Sequence, residues 1–298
     1  MKKVTMAIAA ALMLQACEQT EMGDVAGDSR NSRQQTVTFR INGAEWSTDG
    51  DGLTDADSPQ ATRGAMTADG SEMTHLWIFD YVGDELVQMN TYTPDADDWG
   101  CPSLTLGIGT HRLYFVASRG DTPTVDESAT TITWATPKDT FWKSLTLTVA
   151  GGGATQQSVT LNRVATKMRL QVTDRVPDGI ATLSITPATW YFALDYTTGE
   201  ATDSRATTRT ISVPASYAGT SGQLAASVFC VSPSTAWQTD IAISAKDGDG
   251  HTIGSASVSG APFERNRVTG LSGSLFASVS ATGITIDDGW QDEYTATW

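Results

Sequence analysis

A chain of 298 residues is long enough for two domains, each with its own core. Hydrophobic residues make up 40% and charged residues only 18%, with abundant Gly, Ser and Thr and no long helical apolar periods, which is the profile of a β-sandwich protein. The formal net charge of -15 argues against a nucleic-acid partner or an anionic membrane surface, because phosphate binding draws on clustered Lys and Arg.

The first seventeen residues read as an export signal. Met1, Lys2 and Lys3 form a positive start, Val4 to Leu14 an apolar run too short to span a bilayer permanently, and Leu14-Gln15-Ala16-Cys17 ends it. This resembles a bacterial lipobox, with the Cys17 thiol as the diacylated residue, although Gln15 is a less usual occupant of its position. Several acyl chains together would anchor the protein to a membrane. Residues 18–35 are polar and without an apolar face, and they read as a flexible tether. Cys101 and Cys230 carry no spacing that demands a disulfide, and two buried free thiols are expected.

Val37, Phe39 and Ile41 alternate with polar residues up to the turn dipeptide Asn42-Gly43, predicting a short strand. A long loop, Ser47 to Ser71, separates it from the rest. His75 to Val82 and Leu113 to Ala117 are apolar on both faces and should be central strands. Leu104, Leu106 and Ile108 alternate before the second of these. Ile132 and Trp134 follow, and the spacing predicts a short helical turn around Asp139 to Lys143. Leu145, Leu147 and Val149, then a glycine-rich turn, then Val159 and Leu161 carry a β-hairpin signature.

After Asn162 and Arg163 the apolar set shifts to even numbers, Val164, Met168, Leu170 and Val172, with Arg163, Lys167, Arg169 and Gln171 on the other face. Side chains in a strand repeat every two residues, so this phase change requires a bulge, a kink or a new sheet. It marks a seam, dividing the chain into domains at 36–161 and 162–298. The second continues through Ala181 to Ile185, Trp190 to Leu194, Ile211 with Val213, and Leu224 to Val231. A hairpin with its turn at Asp247 to Gly250 follows, then Val268 to Phe276, and a last apolar set at Ile284, Ile286, Trp290, Tyr294 and Trp298. Each half offers roughly seven strands, enough for a two-sheet sandwich.

Signs of catalysis are lacking. His75, His111 and His251 lie in no metal-ligand spacing. Gly270-Leu271-Ser272-Gly273 imitates a nucleophile elbow without its last glycine or its strand-to-helix setting, and reads as a strand. Asp49, Asp51, Asp55 and Asp57 lack the register of a calcium loop, and Asp247 with Asp249 fit turn chemistry. No enzyme activity, metal or cofactor is expected. Of nine tryptophans, Trp77, Trp142 and Trp190 lie in apolar stretches, while Trp99 and Trp237 lie in polar ones. Those two are the candidate surface-binding residues, for a host or bacterial surface glycan or protein.

Four segments resemble the fimbrillin-like lipoproteins that build type V pili in Bacteroidales. They are Val159 to Leu170, with its Leu161-x-Arg163-x-Ala165-x-Lys167 pattern; Phe263 to Phe276, with Arg265-Asn266-x-x-Thr269; Thr74 to Tyr81; and Gly109 to Ala117. The resemblance implies two transthyretin-like β-sandwich domains in tandem, export as an outer-membrane lipoprotein, and assembly with other pilin subunits by strand exchange. It further implies that Val37, Phe39 and Ile41 form a removable strand, that Arg63 before Gly64 is the protease site, and that Ile284, Ile286, Tyr294 and Trp298 anchor a donor strand. A monomeric, surface-exposed glycan-binding lipoprotein is the alternative.

Overall fold

The computed structural model describes residues 34–43, 73–277, 283–285 and 293–297. Cys17, Arg63, Gly64, the aspartates between 49 and 57, Ile286 and Trp298 lie outside that range. Among the described residues the chain is all-β, with one 3-10 turn at Ala215–Tyr217 and no α-helix.

Nine strands come first: β1 (Gln34–Gly43), β2 (His75–Val82), β3 (Glu85–Tyr92), β4 (Ser103–Gly107), β5 (Gly109–Ser118), β6 (Thr124–Asp126), β7 (Thr131–Thr133), β8 (Thr140–Val149) and β9 (Thr155–Arg163). Seven of them form one sheet in the order β3-β2-β5-β8-β9-β1-β4. It curls on itself, so that Val37, Phe39, Leu104, Leu106, Val159 and Leu161 from one half meet Leu76, Ile78, Leu113, Phe115 and Phe141 from the other in a shared core.

The remaining strands are β10 (Ala165–Val172), β11 (Ile180–Pro187), β12 (Trp190–Asp195), β13 (Glu200–Arg205), β14 (Arg209–Ser212), β15 (Ala225–Val231), β16 (Trp237–Asp247), β17 (Thr252–Phe263), β18 (Val268–Gly273), β19 (Gly283–Thr285) and β20 (Glu293–Thr297). The sheet β15-β10-β18-β19-β20 faces the sheet β14-β11-β16-β17. Met168, Leu170, Val228 and Leu271 meet Leu183, Ile185, Ile241 and Ile243 between them, and Trp190 fills one end.

β2 and β5 are apolar on both faces because each face has a core. Their second face carries Trp77, Phe79, Tyr81, Tyr114 and Val116, packed under Ile132, Trp134, Leu194 and Tyr196. Ile132 and Leu194 belong to the small sheet β13-β12-β7-β6, which draws strands from both sides of residue 161, and Trp134 and Tyr196 directly follow its strands β7 and β12. The predicted phase change is a change of sheet, since β9 ends at Arg163 in the first sheet and β10 begins at Ala165 in another.

Four sequence expectations need correction. Residues 139–143 hold no helical turn; Thr140 starts β8, ten residues long and paired with β5 throughout. β8 and β9 are not a closed hairpin either. They pair only at Phe141 with Arg163 and Trp142 with Asn162, far from the glycine-rich turn, because β9 diverges to run parallel to β1. The turn therefore joins the two halves of a sandwich. Arg163 and Lys167, expected on a polar face, are both only 4% exposed. Finally, Cys230 is free and buried as expected, but Cys101 is disulfide-bonded.

Candidate functional site

β1 sits inside the first sheet, antiparallel to β4 on one edge and parallel to β9 on the other. The ladder to β4 continues past its end, Phe39 donating its N–H to Pro102 O at 2.8 Å and Ile41 to Gly100 O at 2.9 Å. Odd residues point inward, with Val37 at 1%, Phe39 at 0% and Ile41 at 2% exposure, and Phe39 meets Phe115 edge to face at 5.3 Å. Even residues point outward and pair locally. The Thr38 and Ser103 hydroxyls lie 2.8 Å apart, and Asn42 donates to Ser158 Oγ at 3.1 Å. Gln35 fastens the start by donating to Gly153 O at 2.8 Å and to Thr155 Oγ1 at 3.2 Å. The three residues expected to form the removable strand thus fill one slot, whose walls are β4 and β9.

Both walls carry a buried pair of ionisable side chains. On the β4 side, His111 Nδ1 lies 2.8 Å from Asp80 Oδ1 and its Nε2 lies 2.9 Å from Gly107 O, at the end of β4. A carbonyl can only accept, so Nε2 carries a hydrogen and donates to it. Burial raises the Asp80 carboxyl above its usual range, opposed by its hydrogen bond and charge attraction to His111.

On the β9 side, Arg163 grips Asp139 with Nε to Oδ1 at 2.8 Å and Nη2 to Oδ2 at 3.1 Å. Its Nη1 donates to Asn266 Oδ1 at 3.0 Å, and its guanidinium lies 4.8 Å from the Phe141 ring centre. Asn266 adopts a left-handed φ of 58° in the turn between β17 and β18, and its N–H donates to Ala165 O at 2.8 Å. The neighbouring Arg265 donates to Ser232 O and to Gly199 O at 2.8 Å, and approaches Glu200 at 3.4 Å. Thr269 Oγ1 donates to Pro262 O at 2.6 Å. Two of the motifs noticed in sequence, Leu161-x-Arg163-x-Ala165 and Arg265-Asn266-x-x-Thr269, are therefore contact partners that form the joint between the two sandwiches.

An aromatic layer completes that joint. Tyr196 stacks on Phe79 at 3.8 Å, its hydroxyl lies 3.1 Å from that of Tyr81, and Trp142 Nε1 donates to Tyr196 O at 2.7 Å. Gly199 lies flat against Trp142, where a Cβ would come within 2.7 Å of the ring, and its φ is +73°. Sequence reading missed Asp139 and Gly199, whose surroundings, Lys-Asp-Thr and Thr-Thr-Gly-Glu, look like ordinary turns.

The other candidates are placed as follows. Ile284 and Tyr294 lie on β19 and β20, which pair with β18 at the edge of their own sheet. Trp99 is half-buried against the first core. Trp237 is half-buried too, stacked on Phe263 at 4.8 Å and met edge-on by Trp190 and Tyr191. Neither is a freestanding platform. Asp247 accepts the N–H groups of Asp249 and His251 at 3.0 and 2.8 Å, the turn chemistry expected of it. The Gly270 to Gly273 stretch lies on β18, as expected. What these groups offer chemically is non-covalent: two main-chain ladders and a row of apolar sockets.

No curated protein matches this sequence. Solved structures resemble it at low identity. A Bacteroides ovatus protein described as a "putative adhesin" is 8% identical, covering 80% of this chain and 88% of its own with a TM-score of 0.48. A "putative cell adhesion protein" of Bacteroides eggerthii is 14% identical, covering 91% and 97% with a TM-score of 0.41. The tip fimbrial protein Mfa3 of Porphyromonas gingivalis, truncated at its C-terminus, is 10% identical, covering 89% and 98% with a TM-score of 0.40. Residues 124–298, from the first residue of β6 onward, match the model of a family of unknown function (DUF6562), and the chain belongs to that family.

Proposed function

We propose that this chain is a non-enzymatic structural subunit or anchor of a cell-surface fimbria, joined to other pilin subunits by strand exchange and supporting adhesion. The observation that carries the reading is the seat of β1. Its three core side chains, worth about 1.5–3 kcal/mol each on full burial, occupy a slot hydrogen-bonded on both edges. Together they amount to roughly 5–9 kcal/mol, comparable with the whole stability of a domain. A slot emptied of β1 thus strongly favours refilling, and β-augmentation by another chain's alternating strand supplies the same ladders and sockets.

In this reading residues 36–161 and 162–298 are two transthyretin-like sandwiches, with the break between β9 and β10 supporting that division. Cys17 carries the lipid that holds the protein in the outer membrane, Arg63 before Gly64 is the processing site, and residues 284–298 are the donor.

The test is cleavage of the purified chain with an Arg-specific protease, read by N-terminal sequencing and light scattering. Cleavage after Arg63 followed by release of β1 and growth of ladders supports strand exchange. An uncut monomer, or a cut one that never exchanges β1 for a peptide of residues 284–298, refutes it.

A further inference from the structure

The large apolar side chains left exposed among the described residues gather at one end and one edge of the first sandwich. Ile108 is 51% exposed, Val87 49%, Val82 44% and Met89 38%. Strand register defines that end. Tyr81 pairs with Arg112, so Val82 and the β2–β3 turn stand at the start of β5, and Gly109 pairs with Val149, so the β8–β9 turn stands there too. Gln34 pairs with Gly107, which brings the start of β1 beside Ile108. Val87 and Met89 continue along β3, the edge of the sheet. Two of the three turns here, residues 107–110 and 150–154, contain only Gly, Ala, Ile and Thr. The third holds Glu85 and Asp84, the latter paired with Arg112 at 2.8 Å. Connections at the opposite end carry Arg119, Asp121, Lys138 and Asp139. In a chain of net charge -15, solvation does not explain apolar turns without ionisable groups. Nor does internal packing demand Gly107 and Gly153, which have no positive φ and no atom within 4 Å of where a Cβ would stand.

We propose that this end of the first sandwich rests on a zwitterionic lipid surface, with Val82 and Ile108 set into the headgroup boundary and Val87 and Met89 following along β3. The path of the chain selects this occupant. β1 enters the sheet here, fastened by Gln35 to Gly153 O at 2.8 Å, and only residues 18–33 separate it from Cys17. The inference rests on the reading of Cys17 as the acylated residue, since an acyl anchor there brings this end of the fold to the bilayer first. A few apolar side chains at the boundary then act as the second signal that turns a tether into a fixed seat. The acidity of the chain disfavours anionic headgroups, whereas turns without charge meet a zwitterionic surface at no electrostatic cost. Bare backbone at Gly107 and Gly153 lets those turns lie close to it. The joint is at the other end of β8, where Phe141 pairs with Arg163, and so stands away from the lipid.

The test replaces Ile108, Ala154 or Thr122 of the full chain by photoreactive benzoylphenylalanine. Each form is recovered in vesicles of phosphatidylethanolamine and phosphatidylcholine and irradiated, and its adducts are mapped by mass spectrometry. Thr122 is the exposed control at the joint end. Lipid adducts at positions 108 and 154 should exceed those at 122 about tenfold or more, and Val82→Asn/Ile108→Asn should cut the adduct at 154 to a similar degree. Equal labelling at 122 and 108, an adduct from 108 to a second copy of the chain, or an undiminished adduct at 154 in the double variant overturns the proposal. Flotation separates it from the reading on which it rests. If the chain floats with the vesicles, ceases to float as Cys17→Ser, and gives no lipid adduct at 108, the anchor stands and the docking falls; a chain that never floats overturns both.

Discussion

Truncating Phe39 to Ala tests whether β1 is a core strand. The ring is fully buried, lies edge-on to Phe115 at 5.3 Å, and is flanked two residues away on either side by Val37 and Ile41 in the same core. Phe-to-Ala changes at such positions cost about 3–5 kcal/mol, combining lost transfer energy with the cavity left behind. The two-sided ladder keeps β1 from collapsing into that cavity, so the upper half of the range applies. With a urea m-value of about 3 kcal/mol/M, a loss of about 4 kcal/mol lowers the midpoint by about 1.3 M. Urea unfolding followed by circular dichroism reads the shift directly. Thr38→Ala is the control, because its half-exposed hydroxyl meets only Ser103 and its loss should cost at most about 1 kcal/mol. Equal midpoints for the two variants would mean that β1 does not hold the first core together, and the slot argument would fail with it.

Three further outcomes follow from the same geometry. Asp139→Ala leaves Arg163 buried without its bidentate partner and should cost about 3–5 kcal/mol, whereas Asp139→Leu with Arg163→Met should recover most of that; a double variant no better than the single one would contradict it. Burial holds the His75 imidazole below its usual value, against a smaller opposing pull from Asp121. The unfolded chain then binds more protons, so stability should fall as pH drops below about 6.5, and His75→Gln should flatten that fall in thermal melts. Burial also pushes the Cys230 thiol far up, so it should resist iodoacetamide in the native protein and react only on unfolding, as mass spectrometry would show.

The alternation of Val37, Phe39 and Ile41, the two-sided apolar runs of β2 and β5, and the Asp247 to Gly250 hairpin were legible because period-two patterning and turn chemistry are local signals. The seam at Arg163 was legible as a phase change. What lay there was not, because burial of a cation depends on a partner distant in sequence, and Asp139 is 24 residues away. The supposed helical turn at residues 139–143 failed for a related reason. Asp139 and Lys143 bracket a short apolar stretch that looks helical alone, yet ten residues of pairing with β5 decide it. The β8–β9 hairpin failed because alternation and a glycine turn do not reveal whether two strands close on each other or diverge to opposite halves of a sandwich. β3, β6 and β13 have weak apolar patterns because they are edge or short strands, with exposed positions along their length.

The slot and the joint share β9, and this bears on what remains if β1 departs. β9 pairs with β1 from Thr155 to Leu161 and with β8 at only two positions, so without β1 its ladder support is nearly gone. Arg163, two residues past that ladder, still ties it to Asp139 and, through Asn266, to the second sandwich. β4 is in the same position, since β1 is its sole ladder partner among the described strands. His111 holds its end at Gly107, backed by Asp80. Each wall of the slot thus has one buried pair of ionisable side chains whose attachment does not pass through β1. Buried ion pairs add little net stability compared with apolar packing, so their value here is positional. In the proposed strand exchange they would hold β4 and β9 at the spacing that β1 occupies.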